Sequence, residues 1–307
     1  MHTISIINYK GGVGKTTLTA NIAAELARRG RNILLIDLDP QASLTFSFIT
    51  PQEWLAEFSE SKTIKDWFES FEDKTLLNLK ELIFKPKKIN SKVNGQLDMI
   101  ASHLDLINID LELATELVGT SLKQSKKNFL KVHRRLADGI QQIKNEYDLI
   151  LIDCPPNFNI VTKTAIVASD YLLIPAKPDY LSTIGINYLN KSLKYLVDDY
   201  NDYVKTDDED LEKQISPKIL GVVFTMIPIY GDKAISFLRQ YIQQINNLEI
   251  PVFTNFLRAY EIFSSDDAFD YGVPVVDENS QTHHGTNEIE NIINELEQKL
   301  GWLGKDE

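Results

Sequence analysis

Residues Ile4 to Thr17, ISIINYKGGVGKTT, decide the reading of the chain: an apolar run leads into a glycine-rich turn, and a helix-forming run follows at once. In that setting Gly11, Gly12 and Gly14 let consecutive backbone N–H groups, that of Val13 among them, close around phosphate oxygens. The N-terminal dipole of the new helix adds positive potential there. Lys15 is expected to reach the β- and γ-phosphates, Thr16 to ligate magnesium through its hydroxyl, and Thr17 to meet the α-phosphate. The ligand this implies is ATP with Mg2+. One position departs from the general pattern G-x-x-x-x-G-K-[ST]: where it expects glycine the chain has Tyr9, followed by Lys10. A second lysine beside the phosphates adds charge where negative charge gathers during phosphoryl transfer.

Outward from the loop, short runs rich in Ile, Val and Leu recur at Thr3 to Ile7, Ile33 to Asp37, Leu97 to Ala101, Leu149 to Asp153, Tyr171 to Pro175 and Ile219 to Thr225. Runs without polar alternation suit strands buried on both faces. Helix-length stretches separate them, the first from Thr16 to Arg29 with Gly30 as its C-terminal cap. The expected fold class is therefore α/β, a mostly parallel twisted sheet with helices on both faces. One domain over residues 1–307 is expected, with a mainly helical insertion at about 45–95. The insertion carries Trp54, Phe58, Trp67, Phe68 and Phe71, read as an extra layer of core, and ends in the turn-like KPKKINSKVNG. The polar stretch from Asp198 to Ser216 reads as a solvated loop or helix end.

Lys and Arg number 32 against 44 Asp and Glu, a formal net charge of -12, so any nucleic-acid contact must come from a local patch. The one cysteine, Cys154, excludes an internal disulfide framework and fits a reducing compartment. No run of apolar residues is long enough for a membrane span, the N-terminal run is too short for a signal peptide, and a cytoplasmic location is expected. The five histidines show no metal-ligand spacing.

Two acidic segments accompany the loop. ILLIDLDPQAS places Asp37 and Asp39 at the C-terminal end of a strand, where ligands bind open parallel sheets, and EYDLILIDCPP ends its run on Asp153. Taken together, KGGVGKTT, DLDPQ and this strand-end aspartate resemble the deviant Walker A loop and acidic motifs of the ParA/MinD family of ATPases. The resemblance covers nearly the whole chain outside the insertion. It implies that Lys10 is the signature lysine that crosses a nucleotide-sandwich dimer to the partner's nucleotide. It implies further that Asp39 orients or activates the attacking water near the metal, and that Asp153 is the Walker B aspartate holding magnesium. The catalytic set it implies is thus Lys10, Lys15 and Asp39, with Thr16, Asp39 and Asp153 around the metal. The segments GVVFTMIPIYGD and NFLRAYEIFSSDDAFDYGVPV resemble the family's base-binding regions, which makes Met226, Phe256 and Arg258 candidates for the base pocket. The proline that usually precedes the matching arginine is here Leu257.

Residue patterns separate the branches of that family. The C-terminal EIENIINELEQKLGWLGKDE has an apolar stripe of Ile289, Ile292, Ile293, Leu296 and Leu300 but a mostly acidic polar face, which suits docking on the protein body rather than on anionic lipid. An iron–sulfur reductase would need more than one cysteine per subunit. In SLKQSKKNFLKVHRRLADGIQQI, read as a helix, Lys123, Lys127, Lys131, Arg134 and Arg135 fall within about 120° of one another, with Leu122, Phe129, Leu136, Ile140 and Ile143 roughly opposite. Such a basic stripe is either a solvated face or a nonspecific contact with the DNA backbone. With no helix-turn-helix ahead of the loop, the resemblance is closest to short ParA-type partition proteins and their McdA-like cargo-positioning relatives. It implies a nucleoid-associated, ATP-dependent homodimer, nonspecific DNA binding, and a ParB-like or McdB-like adaptor that stimulates hydrolysis. The alternatives are positioning of a protein cargo such as a carboxysome, or an amidoligase-like biosynthetic enzyme built on the same loop.

Overall fold

The apolar runs form six strands because each alternates its side chains between two oily layers. The computed structural model describes residues 1–71, 77–206, 213–228, 233–259 and 284–302. The strands are β1 (His2–Ile6), β2 (Asn32–Asp37), β3 (Gln96–Ile100), β4 (Leu149–Asp153), β5 (Tyr171–Ala176) and β6 (Lys218–Phe224), all parallel, in the order β3-β2-β4-β1-β5-β6. Leu34 and Ile36 of β2 and Ile150 and Ile152 of β4 face one apolar cluster, while Ile33, Leu35, Leu149 and Leu151 face the other. The six expected strands are all present, their bounds shifted by no more than one residue at the ends.

One face is covered by α1 (Lys15–Arg28) and the C-terminal helix of the described residues, α11 (His284–Lys299). Helix α1 ends as expected at Gly30, whose φ of 93° no β-carbon favours; Gly30 N donates to Ala27 O and Arg31 N to Leu26 O, which satisfies the last carbonyls. The stripe Ile289, Ile292, Ile293 and Leu296 of α11 is fully buried. Acidic residues of α11 are absorbed there too, Glu297 meeting Arg29 at 2.6 Å and Glu290 meeting Arg28 at 3.2 Å.

Between β2 and β3 come α2 (Ser43–Phe46), α3 (Pro51–Glu57), α4 (Ile64–Glu69), a 3-10 turn at Leu79–Leu82 and α5 (Lys87–Asn90). Trp54, Phe58, Trp67 and Phe68 are buried, and Trp67 and Phe68 share a cluster with Leu34 and Ile36 of the sheet. Gly139 makes room for this layer: a β-carbon there would lie 2.9 Å from Trp67 Cζ2. Of the terminal KPKKINSKVNG, part is the short helix α5, and Asn90 closes the sheet edge by bonding Leu97 on both its N–H and C=O.

The same face carries α6 (Leu106–Glu116), α7 (Leu122–Ile143), α8 (Ile160–Val167), α9 (Tyr180–Lys205) and α10 (Lys233–Asn246). Helix α9 runs on to Lys205, so the expected polar stretch begins as a helix end, while Lys213 to Ser216 are irregular. Beyond β6, residues 251–259 run alongside that strand, with Phe253 N bonded to Val222 O and Leu257 N to Phe224 O.

Candidate nucleotide site

Strand ends and helix starts meet at one edge of the sheet. There β1 runs through Ile7 and Asn8 into the glycine-rich loop, and Gly14 caps α1 with φ 76°. Gly12 has φ 64°, and no side chain stands within 4 Å of where its β-carbon would be, so the loop is open to a ligand. Its far side is fixed from β6: the fully buried Thr225 donates its hydroxyl to Val13 O at 2.7 Å. Asn8 fixes the near side, donating to Pro175 O at 2.7 Å and accepting from Lys10 N at 2.9 Å.

The register sets Asp37 directly beside Asp153. Both are fully buried. Asp37 has both oxygens occupied, Oδ1 by Asp39 N at 3.1 Å and Oδ2 by the N–H and hydroxyl of Thr45, each at 2.8 Å. It therefore anchors the turn that carries Asp39. Asp153 accepts from the Thr16 hydroxyl at 2.7 Å. Burial pushes both carboxyls above the ordinary carboxylate range; the charge of Asp153 adds to this at Asp37, whereas Thr16 and Lys15 pull Asp153 back. Buried carboxylates beside a hydroxyl make an all-oxygen set short of positive charge. Asp153 and Thr16 thus fit a hard divalent cation such as Mg2+.

Asp39 is half-buried, accepts from Gln41 N at 3.0 Å, and its carbonyl is tied to the Ser102 hydroxyl at 2.7 Å. Lys15 is 7% exposed and close enough to Asp153 to stabilise its charge. Lys10 meets Asp179 Oδ2 at 2.5 Å. Asp179 in turn caps α9 by accepting from Ser182 N at 2.8 Å. Partial burial opposes ionisation of Asp179, but Lys10 and Ser182 outweigh it and hold the carboxyl below its ordinary range. Tyr9 leans on the same helix, donating to Ser192 at 2.9 Å.

The loop residues Lys10 to Thr17, Asp39 and Asp153 thus come together at one edge. Met226 follows Thr225 directly, with a left-handed φ of 53°, and pairing of Ile227 with Leu257 and Ala259 brings Phe256 and Arg258 alongside. Arg258 is bound to Glu288 of α11 at 3.2 Å and lies over the Phe256 ring. Most of the late segment that resembles the family's base region, residues 260–275, the end of the earlier one, residues 229–232, and also His283 lie outside the described residues.

The basic stripe needs correction. Lys123, Lys127 and Lys131 are exposed on α7, but Arg134 is half-buried and bonded to Asp138 at 2.8 Å. Arg135 is buried, paired with Glu116 and stacked 4.5 Å over Phe71, so it belongs to the core side. It occupied the rim of the basic arc, where a turn of a few tens of degrees decides between solvent and core. Leu122, expected on the apolar face, is the first residue of α7 and is 75% exposed. Sequence reasoning missed Asp179, Thr225 and Asn8. Asp179 carried a signal as a helix cap three residues before Ser182; the bonds of Thr225 to Val13 and of Asn8 to Pro175 join segments distant in sequence and carried none.

Comparison with known proteins adds to this geometry. The model of a family described as an AAA domain, AAA_31, matches residues 1–206. The chain is 29% identical over 248 residues to the chromosome partitioning protein ParA of Myxococcus xanthus, covering 79% of this chain and 69% of that one. Of other curated relatives it spans about half the length. The ATP complex of a single-substitution variant of Cyanothece McdA superposes with a TM-score of 0.68 at 18% identity, over 100% of this chain and 99% of McdA. Cobyrinic acid a,c-diamide synthase from Mycobacterium smegmatis, with bound ATP analogue and magnesium, gives 0.60 at 19%, over 88% and 92%. At these identities the superpositions establish the fold.

Proposed function

Since the chain belongs to the AAA_31 family of ParA/MinD-type ATPases, we propose that it is a ParA-type positioning ATPase whose ATP-bound form is a sandwich dimer. The observation that carries this is Lys10. Its ammonium, about a third exposed, is paired with the partly exposed Asp179 on the loop after β5, from which a second subunit would draw it across. Mg2+ supplies positive charge to the phosphate oxygens when bound. Thr16 and Asp153 would hold the ion, with Asp39 near it. The loop N–H groups and Lys15 bind the phosphates, Asp39 orients the attacking water, and Met226 and Phe256 border the base. The paired subunits then bind DNA nonspecifically through Lys123, Lys127 and Lys131, and an adaptor of the ParB or McdB kind stimulates hydrolysis and release of a plasmid, chromosome or protein cargo.

The test is ATP turnover and DNA retention measured with and without nucleotide at several salt concentrations. ATP-dependent, salt-sensitive retention is expected, and Asp39→Ala should bind nucleotide but accumulate as dimer on DNA. Absence of retention at every salt, together with ATP-dependent amidation of a small carboxylate, would replace this reading with a biosynthetic one. Normal hydrolysis by Asp39→Ala would remove its assigned role.

A further inference from the structure

A closed ring of hydrogen bonds joins the nucleotide edge to the helical insertion. Thr45 in α2 and Ser102, two residues beyond β3, are both fully buried. Thr45 gives its N–H and its hydroxyl to Asp37 Oδ2, and its hydroxyl oxygen accepts from Ser102 N at 3.0 Å. The Ser102 hydroxyl donates to Asp39 O at 2.7 Å, and Asp39 N donates to Asp37 Oδ1 at 3.1 Å. The ring therefore grips the peptide units on both sides of the Asp39 α-carbon, one from β2 and one from beyond β3. Residue 40 is proline, so the second unit has no N–H and its carbonyl is its one polar handle. That carbonyl also accepts from Ala42 N at 2.8 Å, which closes the turn locally. Ala42 sits there with a left-handed φ of 51°, unfavourable for a residue with a β-carbon, so the turn needs a hold from outside. Ser102 is in turn held by the insertion: the indole N–H of the buried Trp54 in α3 donates to Ser102 O at 3.1 Å.

We propose that Ser102 is a positioning residue for ATP hydrolysis, holding the backbone of Asp39 so that its carboxylate stays aimed at the attacking water, and that Trp54 steadies Ser102 from the insertion. The proposal rests on the role given to Asp39 above and adds what keeps that residue in place. The Asp39 carboxylate itself accepts from Gln41 N, a bond within its own turn, so its direction follows that of the backbone. A displacement of about 1 Å at a reacting group is enough to cost about a hundredfold in rate. None of these bonds involves residues 10–17, so the ring acts on turnover and leaves the grip on the phosphates alone. The insertion thereby acquires a task beyond adding core.

Ser102→Ala provides the test, because it deletes one hydroxyl and keeps the backbone groups that meet Thr45 and Trp54. At saturating ATP and Mg2+ its turnover should fall by about tenfold, while calorimetry with a nonhydrolysable analogue gives native stoichiometry and an affinity within about twofold. Trp54→Phe keeps an aromatic ring and loses the indole N–H; it should slow turnover by about threefold at the same affinity. Combined, the two should slow it by about tenfold rather than thirtyfold, since both act through residue 102. Ser102→Ala should have no further effect in an Asp39→Ala background. Phe58→Leu is the control: its ring packs on Phe84 with centroids 4.5 Å apart in the same insertion, so the variant should unfold at lower urea yet turn over at the native rate. Native turnover in Ser102→Ala beside slow turnover in Asp39→Ala overturns the positioning role and spares that of Asp39. A loss in Ser102→Ala that merely follows a loss of binding stoichiometry, or one that Phe58→Leu reproduces, marks a general folding defect and overturns it too. Native turnover in Asp39→Ala overturns both readings.

Discussion

Replacing Asp179 by Asn isolates the contact that holds Lys10 in its own subunit. The ammonium and carboxylate are 2.5 Å apart, but their side chains are 34% and 39% exposed, so solvent screening limits the pair to about 0.5–1 kcal/mol. Asparagine keeps an oxygen for Ser182 N, now 2.8 Å from Asp179 Oδ1, so the cap on α9 survives and only the charge is lost. In the proposed dimer both copies must release this lysine, and Asp179→Asn removes that cost twice. The dimer with an ATP analogue should then form roughly 5- to 30-fold more tightly, corresponding to about 1–2 kcal/mol. Sedimentation equilibrium in Mg2+ and a nonhydrolysable analogue measures this directly, and the gain should shrink at high salt. Asp179→Ala serves as the contrast, since it also loses a cap worth about 1 kcal/mol. An unchanged or weaker dimer in Asp179→Asn would refute the reasoning, because Lys10 would then not be in competition between the two positions.

Thr225→Val keeps the volume but leaves Val13 O without its buried donor, which should cost about 1–3 kcal/mol in urea unfolding and weaken nucleotide binding; full stability would show that the loop is not held from β6. Gly139→Ala should destabilise despite a helix propensity gain of about 1 kcal/mol, because overpacking against Trp67 and Leu79 costs about 1–3 kcal/mol; a more stable variant would contradict the close approach. Asp153 binds its proton more tightly folded than unfolded, so its contribution to the nucleotide-free fold is complete below the unfolded value near about pH 4 and is lost as pH rises through the higher folded value. Asp153→Asn should therefore gain on the native chain from pH 4 to 8 in urea titrations, and a pH-independent difference would count against the raised carboxyl. For DNA, removing Lys123, Lys127 and Lys131 together should flatten the log–log salt dependence by about 0.9 for each phosphate no longer neutralised; an unaltered slope would take α7 out of the interface.

The sheet was legible because both of its faces are covered, so each strand appears as a continuous apolar run without competition from solvent. The phosphate loop was legible for a different reason: all its parts lie within Lys10 to Thr17, and local backbone geometry dictates glycine and a following helix. Contacts between distant segments were not. Thr225 reads as the last residue of an apolar run, and only the topology that sets β6 near the loop reveals the bond to Val13. Arg135 failed as a surface residue because helical spacing gives an angle but not the neighbour; Glu116, on another helix, supplies the countercharge that lets a guanidinium enter the core. The aromatic layer was anticipated as core, but the role of Gly139 in admitting it depends on Trp67, which lies far away in sequence.

The fold superposes both on McdA and on cobyrinic acid a,c-diamide synthase, and a fold does not fix a function. The distinction rests on how charge is arranged around the loop. A chain that only activated a small substrate could complete its site with residues of its own subunit, and a lysine tethered to Asp179 would serve no purpose there. Here Lys10 is set between an internal carboxylate and open solvent. With Arg135 withdrawn to the core and Arg134 engaged by Asp138, one copy presents too thin a basic stripe to hold a polyanion against its net charge of -12. Doubling that stripe doubles the phosphates it can neutralise, and the salt-dependent part of the binding free energy grows in proportion. Nucleotide-gated pairing would thus convert a feeble DNA contact into a useful one, which gives a physical reason for DNA affinity to follow ATP.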